Sequence, residues 1–76
     1  MELTDEQANI MHWIERYSRV HGFPPCRRDI ERKFDIGGYL VQRRLGELQE
    51  AGYIQLYPGL ARGIRILRHL QEAVKV

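Results

Sequence analysis

Seventy-six residues with one cysteine and a formal net charge of +2 describe a single small domain, with no room for a linker or a second domain. Cys26 has no disulfide partner and no Cys/His set has zinc spacing, so the core is expected to stand without a cross-link or a metal, in a reducing, cytoplasmic setting. No apolar run is long enough to span a bilayer, and Glu2, Asp5 and Glu6 occupy the amino end where a secretory leader would be basic, which argues against membrane and export.

The first element starts at a capping box. Thr4 is followed three residues later by Gln7, so the Thr hydroxyl can accept from an early helix N–H while the Gln side chain reaches back. Asp5 and Glu6 suit the positive end of the helix dipole, and Ile10, Met11, Ile14 and Tyr17 recur at helical spacing, with Trp13 at the edge. Gly22 stops this helix before Pro24 and Pro25. After the extended Phe23-Pro-Pro-Cys26 segment, RRDIERKF reads as a short second helix with Ile30 and Phe34 inward and Asp29 where a capping acid belongs. A brief turn, Asp35 to Gly38, leads to a third helix that ends at Gly52, a residue suited to the left-handed position after a helix. In it Val41, Leu45 and Leu48 form the core face, and Tyr39, Gln42, Arg43 and Gly46 face outward.

Beyond Gly52 the period becomes two. Ile54 and Leu56 alternate with Gln55 and Tyr57, and after Pro58 to Gly63 so do Ile64 and Ile66 with Arg65 and Leu67. The fold class is therefore mostly α with a small β-hairpin. Two helices joined by a tight turn, with the hairpin as a wing, make a winged helix-turn-helix of three helices and two strands. Residues 1–67 form this domain, and 68–76 are a short tail in which Leu67, Leu70 and Val74 are spaced as a helical seam would be.

Charge is unevenly spread. Residues 1–15 carry four acids and no Lys or Arg, whereas residues 16–68 carry eleven Lys or Arg against five acids. That excess points to a polyanionic partner. The outward residues of the third helix are the candidate base readers: Arg43 can pair two donors with guanine, Gln42 can pair with adenine, and Tyr39 can meet phosphate or a methyl edge. The bland alternative is a solvated face in which Arg43 pairs with Glu47 four residues on. Arg44 lies nearer the apolar edge, where its stem packs and its head meets phosphate or an acid. Arg27 and Arg28 open the second helix, a position ill matched to the dipole unless an anion such as phosphate is near; the alternative is two exposed arginines held by Asp29 or Glu31. On the wing, Arg62 sits at a glycine-flanked tip suited to the minor groove or the DNA backbone, and Arg65 is a strand residue facing phosphate or solvent. Glu47 and Glu50 would repel phosphate, so only the early turns of the helix should approach DNA.

His12, His21 and His69 are scattered, Ser18 is the only serine and has no base arranged for it, and Gly37-Gly38 lacks the surroundings of a phosphate cradle. No catalytic site, metal, cofactor or small-molecule substrate is expected.

The stretches LTDEQANIMHWI, GFPPCRRDIERKF, LGELQEAGYI and ARGIRIL together resemble the amino-terminal winged helix-turn-helix domain of the LexA repressor family, over residues 3–67. The resemblance implies sequence-specific binding of double-stranded DNA and transcriptional repression by operator occupancy, and its DNA-contacting positions fall on Gly38, Tyr39, Gln42 and Arg43. Family repressors continue into a self-cleaving peptidase domain with a Ser-Lys dyad that also dimerises them; the expectation here is the DNA-binding domain without it, monomeric in solution and able to pair on DNA. The competing readings are a winged helix that docks on a protein of the transcription machinery, and an excised fragment of a longer repressor. The sequence also departs from the family pattern. Cys26 replaces the usual Thr or Ser cap of the second helix, which predicts a weak cap in which Asp29 does little. The turn before the third helix is one residue shorter, with Gly37 and Gly38 for polar residues. Tyr39, Gln42 and Arg43 stand where Ser, Asn and Glu are frequent, which predicts a different operator.

Overall fold

The computed structural model describes residues 3–70. Its elements are α1 (Asp5–His21), α2 (Arg27–Phe34), α3 (Gly38–Glu50), β1 (Ile54–Leu56) and β2 (Ile64–Ile66). The strands pair antiparallel with Ile54 opposite Ile66 and Leu56 opposite Ile64, so the three-helix, two-stranded winged helix-turn-helix expected from the residue spacing is the observed fold.

Local chemistry explains most of the boundaries. Thr4 Oγ1 accepts from the Gln7 N–H at 3.2 Å while Gln7 Oε1 accepts from the Thr4 N–H at 2.9 Å, so two of the donors stranded at the start of α1 are satisfied. Gly22 then takes φ +84° and its N–H donates to Ser18 O, ending the helix. At the end of α3 the Tyr53 N–H donates to Leu48 O and the Gly52 N–H to Gln49 O, both at 3.0 Å, with Gly52 at φ +86°. This is a Schellman closure, and its accompanying apolar contact is present too, because Tyr53 and Leu48 both lie in the core.

One local expectation, that Asp29 does little at the start of α2, is corrected: its Oδ2 accepts from the Cys26 N–H at 3.0 Å, the reach-back half of a capping box, which satisfies a donor that the thiol does not serve. The left-handed residue between α2 and α3 is Asp35, at φ +55°, which lets the Ile36 N–H reach Glu31 O at 3.2 Å. Aspartate tolerates that region better than most side chains. Gly37 and Gly38 keep ordinary backbone angles, and Gly38 is already the first residue of α3.

The core is one cluster. Ile10, Met11 and Ile14 from α1 meet Ile30 from α2, Val41, Leu45 and Leu48 from α3, and Tyr53, Ile54 and Ile64 from the wing base. The 3.6-residue spacing puts the α1 and α3 residues on single stripes, and burial of those stripes supplies the main favourable free energy of folding. Trp13 and Phe34 are half-buried and meet edge to face at 5.8 Å between ring centres. The segment after β2 turns back on the domain: the Leu67 and Arg68 N–H groups both donate to Tyr53 O, and the Leu70 N–H donates to Glu15, a carboxylate only 2 % exposed. Residues 68–70 of the tail thus pack against the domain; of the three residues spaced as a seam, Leu67 is exposed, Leu70 packs against the core, and Val74 lies outside the described residues.

Candidate nucleic-acid interface

Helix α3 presents three flanks. Its inner flank is core. The flank toward the wing carries Gln42 and Gln49; Gln49 Oε1 accepts from the Leu56 N–H at 2.8 Å, pinning β1 to the helix. The flank toward α1 carries Arg44 and Glu47. Arg44 lies between Glu6 at 3.1 Å and Glu47 at 3.2 Å, and Glu47 Oε1 also accepts from the Gln7 side-chain amide at 2.7 Å. The Gln7 hydrogen bond, followed by the charges of Arg44 and Arg43, holds the Glu47 carboxyl below its ordinary range. Arg44 is thereby turned to acids, one of the two ends considered for it, and joins α1 to α3.

Between these flanks the outward face is open. Tyr39 is 77 % exposed, Gln42 and Arg43 are exposed, and among the described residues the one ion pair of Arg43 is with Glu47, at 3.5 Å across one helical turn. An exposed pair of that spacing contributes about 0.3 to 0.5 kcal/mol, little enough for a base or a phosphate to displace it. Gly38 at the head of α3 is exposed beside the Glu31 carboxylate.

Helix α2 and the wing frame the other side. Arg27 and Gln42 border one cleft with Leu56, Tyr57, Pro58, Leu60 and Ala61. Arg27 and Arg28 border a second hollow with Cys26 and the wing tip, Gly59 to Ala61. Among the described residues Arg27, Arg28 and Arg65 enter no ion pair, and Arg65 is exposed opposite Gln55 on the hairpin. Arg27, Leu60 and Ala61 border both hollows, so the start of α2 and the wing tip frame two neighbouring recesses, Gln42 on the first and Arg28 on the second.

Arg62 sits differently. Its Nη1 donates to Pro24 O at 2.8 Å, Asp29 Oδ2 at 3.1 Å and Tyr17 Oη at 3.4 Å, and its guanidinium lies 4.7 Å from the centre of the Phe23 ring. The Cys26 N–H, with the Cys26 thiol, Arg62 and Tyr17 contributing, lowers the Asp29 carboxyl to about 2 against the cost of burial. Tyr17 and Asp29 on the Arg62 side in turn raise its affinity for its proton. Residue spacing had marked Asp29 as a cap or as a local partner of Arg27 and Arg28 and had given Tyr17 no polar role; the 33-residue separation of Asp29 and Arg62 hides their pairing from any local pattern. Among the described residues no group of His, Cys, Asp and Glu is arranged to hold a metal, and no helix is long and apolar enough to cross a membrane.

With this geometry in place, comparison with known proteins is direct. The family model for the LexA DNA binding domain matches residues 1–63. The chain is similar to the LexA repressor of Geobacter metallireducens, 39 % identical over 69 residues that cover 90 % of this chain and 34 % of that protein. It is similar to LexA repressor 2 of Geobacter sulfurreducens, 37 % identical over 65 residues covering 84 % and 32 %. The LexA repressor of Pseudomonas aeruginosa is 38 % identical over 66 residues covering 86 % and 32 %. The chain spans about a third of the length of these curated relatives.

Proposed function

Because the chain belongs to the LexA DNA-binding domain family, we propose that it binds double-stranded DNA sequence-specifically and represses transcription by occupying an operator. One observation carries the reading. The second helix of a helix-turn-helix exposes Tyr39, Gln42 and Arg43, and its Gln42 shares a cleft with Arg27, which with Arg28 makes two cations at a helix start with no acid paired to them among the described residues. Cations there oppose the helix dipole, and a phosphate resolves the conflict. In this reading α3 enters the major groove by its early turns, with Gly38 allowing close approach. Arg43 and Gln42 read base edges, Tyr39 meets backbone or a methyl, and Arg27, Arg28 and Arg65 meet phosphates. Arg44 supports α3 from the α1 side.

In the same reading the domain is a monomer in free solution and able to pair on DNA. Selection from random duplexes tests the proposal: an enriched motif that depends on Gln42 and Arg43 supports it. No enrichment, together with tight capture of a transcription protein, replaces it with the docking reading. Sedimentation showing a stable dimer at micromolar concentration without DNA would reject the monomer.

A further inference from the structure

A wing with strands of three residues each has few ladder bonds of its own, and its tip, Tyr57 to Arg62, is exposed. Within it the Tyr57 N–H donates to Gly63 O at 2.8 Å and the Leu60 N–H reaches Tyr57 O at 3.3 Å, which closes the loop without fixing it to the helices. Among the described residues, the hydrogen bonds from the tip to the helices come from one side chain. Arg62 reaches across to the Pro24 carbonyl, Asp29 and Tyr17, three acceptors supplied by α1, α2 and the segment between them. Asp29 Oδ2 is the shared centre, since it accepts from the Cys26 N–H at 3.0 Å, from Tyr17 Oη at 3.2 Å and from Arg62 at 3.1 Å. The atom that caps α2 is thus the atom that holds the wing.

We propose that Arg62 is a positioning residue of the DNA-binding surface: its guanidinium clasps the wing to the capped start of α2, fixing the wing beside α3, instead of serving as a phosphate ligand. The proposal rests on the DNA-binding reading above. Two physical points favour the clasp. Its charge is locally balanced by Asp29, so a phosphate approaching Arg62 meets an anion at the same place. Its flat face is covered by Phe23 and its Nη1 is taken, so the clasp uses geometry and hydrogen bonds as well as charge.

The two roles give opposite signs when Asp29 is neutralised. Asp29→Asn keeps a side-chain oxygen for the Cys26 N–H, so α2 stays capped, but it loses the charge that holds Arg62. With a clasp, Asp29→Asn weakens binding to the selected duplex about three- to tenfold. With a phosphate ligand, removing the competing acid leaves binding unchanged or tightens it, and that result overturns the proposal. Arg62→Ala should weaken binding by about five- to tenfold at an unaltered dependence on salt; a log-log slope shallower by about one unit identifies a lost phosphate contact and overturns it. In the Asp29→Asn background Arg62→Ala should cost less than about twofold, because one clasp cannot be broken twice, whereas an undiminished cost overturns it.

The last arm needs no DNA. In the free protein, amide exchange at Tyr57 and Leu60 should quicken about fivefold or more in both single variants while Leu45 and Leu48 in α3 keep their protection. Unchanged exchange at the wing overturns the clasp. If the wild-type chain selects no duplex at all, the functional reading fails and this arm still judges the clasp alone.

Discussion

Arg43, on the outward face of α3, keeps 58 % of its side chain exposed and touches one acid at 3.5 Å, whereas Arg62, on the wing, is 39 % exposed and shares one nitrogen among three acceptors. Both belong to the same basic excess, and counted by charge they are equal. Their surroundings separate them. Arg43 is held by an acid on its own helix, a contact worth too little to keep it from a better partner. Arg62 is held by three elements distant in sequence, so moving it would disturb how they meet. Arg44 falls with Arg62: it is 21 % exposed between acids of α1 and α3. Part of the apparent polyanion footprint is therefore internal framework, and in the proposed reading the candidates left to meet DNA include Arg27, Arg28, Arg43 and Arg65.

The framework half of this comparison should show the largest effect. Leu48 is fully buried and also anchors the Schellman closure of α3. Leu48→Ala should lower unfolding stability by about 2 to 5 kcal/mol, which for a domain this small can remove most of the folded population. Chemical denaturation measures it. In whatever fraction remains folded, the selected DNA motif should be that of the wild type; a changed motif would mean that the framework and the reading face are not separable.

On the reading face the effect is smaller and of another kind. Arg43→Ala should cost about 1 to 3 kcal/mol on the preferred duplex and relax preference at one base pair, while unfolding stability changes by less than about 0.5 kcal/mol. Gln42→Ala should act at a neighbouring base pair. Titrations on the preferred duplex and on single-substituted duplexes decide it: unaltered affinity and preference in both variants would leave α3's outward face merely solvated.

These two tests also mark what could be read without a structure. The capping box at Thr4, the core stripes of α1 and α3, the stop at Gly52 and the alternation of the wing are set by spacings of two to four residues, and each was legible. The Arg62–Asp29 pair and the Glu15–Leu70 hydrogen bond span 33 and 55 residues, and nothing local marks either partner. Polarity could nominate Arg62 and Arg43 alike, because residue type states what a side chain can bind and only packing states what it has already bound. The α2–α3 turn was legible as Asp35 to Gly38, but not which of its residues turns left-handed: glycine adopts that region most cheaply, yet here it is Asp35 that does.

A pH titration sharpens the framework side further. The Asp29 carboxyl is lowered from 3.8 to about 2 in the folded protein, so the unfolded chain takes up its proton first as pH falls. Its contribution is fully present above about pH 5 and is lost between about pH 4 and pH 2. Glu47, also held below its ordinary value, adds a loss of the same sign. Unfolding free energy measured across this range should fall less steeply for Asp29→Asn than for the wild type, and curves that stay parallel would show that Asp29 carries none of the acid sensitivity.

The smallest expected change asks how far the reading surface runs along α3. Gly46 lies mid-helix on the outward side, and a Cβ built there meets nothing within 4 Å. Glycine inside a helix costs about 0.5 to 1 kcal/mol relative to alanine through the backbone freedom it loses on folding, so Gly46→Ala should stabilise the free protein by about that amount. No packing inside the domain resists the added methyl. A loss of duplex affinity in this variant would then arise at the contact with DNA and not from the fold. Glu47 and Glu50 follow in the same turns and repel phosphate, which argues that contact is made by the early turns, around Tyr39, Gln42 and Arg43, with Gly46 beyond the closest approach. The expected result is a higher unfolding midpoint with the preferred-duplex affinity unchanged within about twofold. A gain in stability accompanied by a marked loss of affinity would show that the helix beds on DNA through Gly46 as well. It would extend the exposed region represented by Arg43 a full turn further, at the expense of the boundary drawn here by the two glutamates.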